Sequence, residues 1–256
     1  MELENENLFA KIQEFLNGLN GEYKIIDRQI DIDLQMEYFE QSKTVKANAD
    51  PEKILNEREN LFSAGTSVAE KKRLLVELAT LDNVEAFRTI EKYMEQADDE
   101  LKDWGTLALN QSKMQLEGSL LEQNQVFIST GLGGRNNKLR YFIVFLLQDG
   151  LEMNSFRQKI AEGEIAFCLK KYDAEVEALH FFEKYFTAMV LNPINVPLQE
   201  VIELVVENCN QFGSFLQKNY IVTNVKELNE SEITEILSTP QSSVNDITIL
   251  PDNPDS

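Results

Sequence analysis

Residues 123–148, QNQVFISTGLGGRNNKLRYFIVFLLQ, are the seam of this chain. They hold no acidic residue and three bases, Arg135, Lys138 and Arg140, in a sequence of 44 acidic against 24 basic residues. Two runs rich in β-branched and aromatic residues, Val126 to Thr130 and Leu139 to Leu147, flank Gly131, Gly133, Gly134, Asn136 and Asn137. Strand formers on either side of turn formers predict a hairpin. The second arm, LRYFIVFLL, is apolar at nearly every position, which predicts a central strand buried on both faces.

Downstream, Ser155 with Gln158 has the spacing of a capping box and predicts a helix to about Tyr172. Residues 176–191, VEALHFFEKYFTAMVL, read as one long strand with a bulge or as two short ones; no turn dipeptide divides them, so one strand is preferred. Pro193 and Pro197 end it, and Pro197 suits the first turn of a helix reaching Phe212, with Gly213 as its C-cap. A strand over Tyr220 to Val225 and a short helix over Ser231 to Leu237 complete an α/β domain, residues 123–237, with a mixed sheet and packed helices. Residues 238–256 contain three prolines, no base and no periodicity, the composition of a disordered tail. Its apolar patch, Ile247 to Leu250, has the character of a segment that docks on a sheet edge.

Upstream, residues 1–122 read as a mainly helical module. Leu8, Phe9, Ile12, Phe15, Leu16 and Leu19 make one apolar helix face, with Gly21 as its stop. Ile30, Ile32, Leu34, Met36 and Tyr38 alternate with polar residues, as in a half-buried strand, yet Ile26, Ile30 and Leu34 also stand four apart, as in a helix; both readings stay open. Asp31 and Asp33 lack the remaining ligands of a calcium loop and read as solvated charges. Asp50 and Pro51 open a helix to about Phe62, and SAGTS, residues 63–67, breaks it. From Ser67 to Leu121 the chain reads as helix throughout, with capping boxes at Ser67/Glu70 and Asp82/Glu85 and a third start at Asp98 or Asp99. Leu74, Leu75, Leu78 and Ala79, then Phe87, Ile90, Tyr93 and Met94, then Leu101, Trp104, Leu107 and Ala108 each form one face. Helices so closely spaced must fold back as antiparallel neighbours.

LLVELATLDNVEAFRTIEKYM (74–94) and DDELKDWGTLALNQ (98–111) resemble HEAT-type repeats. Asp99, Leu101, Lys102, Gly105, Ala108 and Leu109 take the repeat's places, and Leu78-Ala79 recurs as Leu107-Ala108. The resemblance covers residues 67–121 and implies HEAT-like hairpins that bind a partner or brace a neighbouring domain, and no reaction. The expected fold class is therefore α+β: an N-terminal HEAT-like α-hairpin module followed by a mixed-sheet domain.

The net charge of −20 is spread over both halves, a field that repels phosphate backbones and anionic lipid; neither nucleic acid nor membrane is expected as a partner. MELENENLF has no secretory pattern and no stretch has the length of a membrane span, so a cytoplasmic location is expected. Cys168 and Cys209 have no Cys-x-x-Cys spacing and read as reduced, buried thiols.

One segment has the makings of a site: Ser129, Thr130, Gly131, Gly133, Gly134, Arg135, Asn136, Asn137, Lys138 and Arg140. Glycine lets successive N–H groups converge on an anion, and the bases would supply charge. The spacings of the phosphate-binding loops are missing, and the segment leads into a strand rather than a helix. The plain reading is a wide hairpin turn whose bases are solvated or paired with the protein's own acids. His180 is the one histidine and reads as a strand residue packed or hydrogen-bonded at the sheet; Glu200, Glu203 and Glu207 share a helix face of the solvated kind. No cofactor or metal is implied. The expectation is a non-enzymatic protein-interaction or scaffold protein, with a small-anion or nucleotide-binding domain, even an enzyme, working through Gly131 to Arg140 as the alternative.

Overall fold

The computed structural model describes residues 23–46, 50–121 and 126–238. The helix read over Leu8 to Leu19 and the tail beyond Ser238 lie outside the described residues. Compact contacts divide the chain into a helical unit, Ile30–Val126, and an α/β unit made of the segment up to Gln29 together with the segment from Phe127 onward. Residues 23–29 thus count with the α/β unit rather than with the helices that follow them.

In the helical unit, α1 (Ile32–Lys46) decides the ambiguous stretch in favour of helix. Gln35, Tyr38 and Ser42 are buried, a spacing of three and four, whereas the alternating Met36 points to solvent. Asp31 supplies the reason: its Oδ1 accepts from the backbone N–H of Asp33 (2.9 Å) and Leu34 (3.2 Å), capping the first turn. An aspartate read as a strand-face charge is a helix start. Next come α2 (Pro51–Glu57), capped by Asp50 and extended by a 3-10 turn to Phe62, and α3 (Val68–Ala79), opened by the Ser67/Glu70 capping box. In α4 (Val84–Met94) the cap is Asn83, one residue after the expected Asp82; its Oδ1 accepts from Glu85 N and Ala86 N. A 3-10 turn, Asp99–Leu101, leads into α5 (Lys102–Leu121).

These helices bury the faces legible in the sequence, including Leu74, Leu75, Leu78, Ile90, Tyr93, Leu101 and Leu107. Trp104 is fully buried, donates its indole N–H to the Lys72 carbonyl (3.0 Å) and meets Tyr38 edge-on at 5.2 Å. Tyr38 donates in turn to Gln111 Oε1 (2.7 Å), which satisfies its hydroxyl inside the core.

The α/β unit contains β1 (Tyr23–Ile25), β2 (Val126–Ile128, whose first residue is the last of the helical unit), β3 (Gly134–Arg135), β4 (Lys138–Leu147), α6 (Ser155–Lys171), β5 (Glu175–Phe181), β6 (Tyr185–Pro193), α7 (Leu198–Asn210), β7 (Leu216–Thr223) and α8 (Glu230–Ser238). β1 and β2 form a two-stranded ribbon. β4 is the central strand of the main sheet: β6 pairs along one edge, and the other edge is shared by β7 and the short β3. β5 lies outside β6.

Five expectations are corrected here. The sheet is antiparallel at every pairing, not mixed. Val126 to Thr130 does not form a hairpin with β4; it pairs with β1, and the hairpin arm facing β4 is β3. Residues 176–191 are two strands, reversed at Glu183 and Lys184 with Phe182 N donating to the Tyr185 carbonyl (2.9 Å). Asn154, not Ser155, caps α6, accepting from Phe156 N and Arg157 N, while Pro197 sits at the cap of α7 rather than inside its first turn. With the two strands separated, the order from β4 to β7 is β-α-β-β-α-β with neighbours β5-β6-β4-β7, a ferredoxin-like arrangement. The chain is an α+β protein.

The burial of β4 follows from this placement. Leu139, Tyr141, Ile143, Phe145 and Leu147 face a large core shared with Ala161, Ile165 and Cys168 of α6 and Val201, Val205 and Cys209 of α7. Phe142, Val144 and Leu146 face a smaller core with Leu132, Ile221 and Ile233. Phe145 stacks on Phe186 at 4.8 Å across the β4–β6 pair. Burying a side chain such as Phe186 contributes on the order of 2–3 kcal/mol.

Candidate functional site

The segment Thr130–Arg140 is built by close backbone approach. A Cβ on Gly131 would stand 1.7 Å from the Val225 carbonyl oxygen. Gly133, at φ +66°, would place one 2.5 Å from the carbonyl of Ile26. The amides that an anion nest would need already have partners: Leu132 N donates to Asn224 O (2.9 Å), Gly133 N to Thr130 O (3.1 Å) and Gly134 N to Ile26 O (2.9 Å). Thr130 Oγ1 donates to the Gly133 carbonyl (3.3 Å). Asn136 and Asn137, at φ +52° and +61°, are the two central residues of the tight turn joining β3 to β4, the conformation that right-twisted strands favour and asparagine tolerates. Ile194 N donates to the Asn137 carbonyl (3.1 Å), tying the turn to the end of β6.

The three bases converge with acids supplied mainly by β5. Lys138 is buried, and its Nζ lies 2.7 Å from Glu175 Oε1 and 3.3 Å from Asp173 Oδ2. Arg140 holds Glu177 with its Nε and with Nη2 (3.1 Å), reaches Asp27 Oδ1 (3.5 Å), and donates through Nη1 to the Leu132 carbonyl (2.7 Å). Arg135, half exposed, lies 3.6 Å from Glu175 and 3.4 Å from Glu177. The hydrogen bond from Arg140 holds the Glu177 carboxyl below its usual range, and the bond to Glu175 raises the Lys138 ammonium. Three positive and four negative side chains make a closed ladder that ties β4 to β5 and to residues 26–28.

The structure therefore brings together the expected Thr130, Gly131, Gly133, Gly134, Arg135, Asn136, Lys138 and Arg140, but around partners of the chain's own. The acids were absent from the sequence-based site although Asp173, Glu175 and Glu177 alternate with period two, the pattern of one strand face.

Other chemical candidates are dispersed. His180 is a strand residue as expected, on β5 opposite Thr187, but its side chain is exposed rather than packed. Cys168 and Cys209 are free and buried; burial pushes the Cys209 thiol up to about 12 and raises that of Cys168, so neither is a thiolate near neutral pH. Glu200, Glu203 and Glu207 are exposed on α7, and among the described residues no group of three His, Cys, Asp or Glu side chains is placed to hold a metal ion. No described helix is long and apolar enough to cross a membrane.

No protein-family model matches the sequence, and no curated protein matches it. Among solved structures, one from Deinococcus radiodurans R1, provisionally described as a transposase, aligns with 41% of this chain and 93% of its own at 12% identity, with a TM-score of 0.31.

Proposed function

We propose that the protein is a non-enzymatic interaction or scaffold protein of the cytosol whose helical unit, with HEAT-like hairpins, carries the contact surface. The observation that supports this reading is the outer face of α1. Met36 (52% exposed) and Phe39 (40% exposed) stand one turn apart there, Met36 turned away from buried Gln35, Tyr38 and Ser42 and Phe39 with its ring edge-on to Tyr38 at the margin of that buried face. Asp33 and Glu40 lie exposed around them, so the complementary partner presents an apolar knob within a basic rim. The anion-binding alternative has less support, because its amides and bases are occupied by the chain itself.

Quantitative affinity purification from the native cell, comparing wild type with Met36→Ala/Phe39→Ser, tests the reading. A partner recovered in stoichiometric amount with wild type is expected to fall at least about tenfold with the double variant, the size of effect a central apolar anchor produces. Equal recovery with both proteins, or turnover of a small molecule with no partner, would overturn it.

A further inference from the structure

The helix α6 has two faces of different character. Ala161, Ile165, Cys168 and Leu169 are buried toward the sheet. On the opposite side the exposed residues Phe156, Lys159, Gly163, Phe167 and Lys170 recur at intervals of three and four, the spacing of a seam that a second helix fills. Phe156 (63% exposed) and Phe167 (65% exposed) are the two most exposed large apolar side chains among the described residues, and both stand on this stripe. They are eleven residues apart, three turns of helix, and so point the same way. Between them Gly163 occupies the helix interior, where glycine is a poor helix former. A Cβ there would touch nothing within 4 Å, so crowding inside the chain does not account for the glycine. Close approach from outside does.

We propose that this stripe is an isologous contact: a second copy of the chain packs its own α6 against it, antiparallel, about a two-fold axis level with residues 161 and 162. The stripe is its own complement under that operation. Phe156 comes level with the partner's Phe167 at one end and Phe167 with the partner's Phe156 at the other, while Gly163 stands beside the axis and lets the helices approach. Lys159 and Glu162 lie toward the same flank of the stripe, so the axis brings each Lys159 within about one turn of the partner's Glu162. Two chains of net charge −20 repel, and a contact between copies needs a face short of acid. On α6 the exposed Lys159, Lys170 and Lys171 outweigh Glu162, and Glu164 is turned aside to accept from Asn208 of α7 (3.1 Å). The neighbouring α7, with Glu200, Glu203 and Glu207 outward, opposes the same pairing. Two helices of 17 residues cover less than the roughly 800 Å² per partner of a standard interface, so a dissociation constant on the order of 10–100 µM is expected. This inference involves neither α1 nor its partner and stands or falls separately.

Sedimentation equilibrium of the full chain, at about 0.15 M salt and over about 2 to 500 µM, tests it. The wild-type mass is expected to rise from one chain to two and no further. Phe156→Ser/Phe167→Ser is expected to weaken the association at least about tenfold. Both side chains are exposed, so the variant keeps its fold, which an unchanged circular dichroism spectrum verifies. Gly163→Gln is expected to weaken it as much without lowering the thermal midpoint of the monomer, because the substitution favours the helix and obstructs the neighbour. Lys159→Glu is expected to lose affinity, and Lys159→Glu/Glu162→Lys to regain it. A monomer throughout the range, growth beyond two copies, association that survives either of the first two variants, or a charge exchange that restores nothing overturns the proposal.

Discussion

At the scale of single residues, the glycines of 131–134 answer to packing rather than to a ligand. Gly131 has no room for a methyl group because a backbone carbonyl stands where it would go, whereas Gly150, at φ +77°, has open space around it. The two substitutions separate sterics from backbone strain. Gly131→Ala is expected to cost more than about 3 kcal/mol, since backbone must move, and Gly150→Ala about 1 kcal/mol of left-handed strain; urea denaturation of both variants measures the difference. Equal costs would mean that the 130–133 segment shifts freely. The sequence makes the turn at Asn136-Asn137 legible through residue type alone. It hides the purpose of Gly131, because the carbonyl it avoids belongs to Val225, far along the chain.

At the scale of elements, the ladder between β4 and β5 is a pH-dependent fastening. The folded-state carboxyl of Glu177 lies below its usual 4.5, so its contribution is complete above about 4.5 and is lost as pH falls through the lower folded value. Lys138 acts in the opposite direction: its raised folded value gives stability that is complete below 10.5 and lost as pH rises through the folded value. Glu177→Gln is accordingly expected to be less stable than wild type at neutral pH and to converge with it in acid, measured as urea midpoints along a pH series. A constant gap across the acid range would assign the loss to packing. Element identity was largely legible: the capped helices from Asp50 onward and the doubly buried β4 follow from patterns that local physics enforces. Two elements resisted for definite reasons. Glu183 and Lys184 turn the chain without a positive φ, so no glycine or asparagine marks the division of β5 from β6. In α1 the apolar residues satisfy both periods, and the helix is selected by the Asp31 cap together with the long-range burial of Tyr38 against Trp104. The first of these misreadings propagates, because one strand in place of two turns an antiparallel sheet into a mixed one.

At the scale of the whole molecule, the charge of −20 and the two faces of β4 were legible because composition and apolar runs report directly on solvation. The division of the chain was not, since it depends on β1, a strand of three residues whose partner β2 lies about a hundred positions later. The candidate site shares that blindness: its bases were visible as an exception in the sequence, while the acids that quench them come from residues 27 and 173–177. The ribbon of β1 and β2 has a further consequence. Ile26 N donates to the Ile128 carbonyl (3.4 Å), so the strand leading out toward residues 30–126 and the strand returning from them run side by side. In chain order the helices are a cassette inserted between two paired strands of the α/β unit, and the excursion can be cut out without leaving distant loose ends. Replacing residues 30–125 with a short Gly-Ser loop should therefore leave a soluble α/β remnant with the dispersed methyl resonances of an intact core. A collapsed, undispersed spectrum would show that the cassette is a structural necessity and no mere passenger.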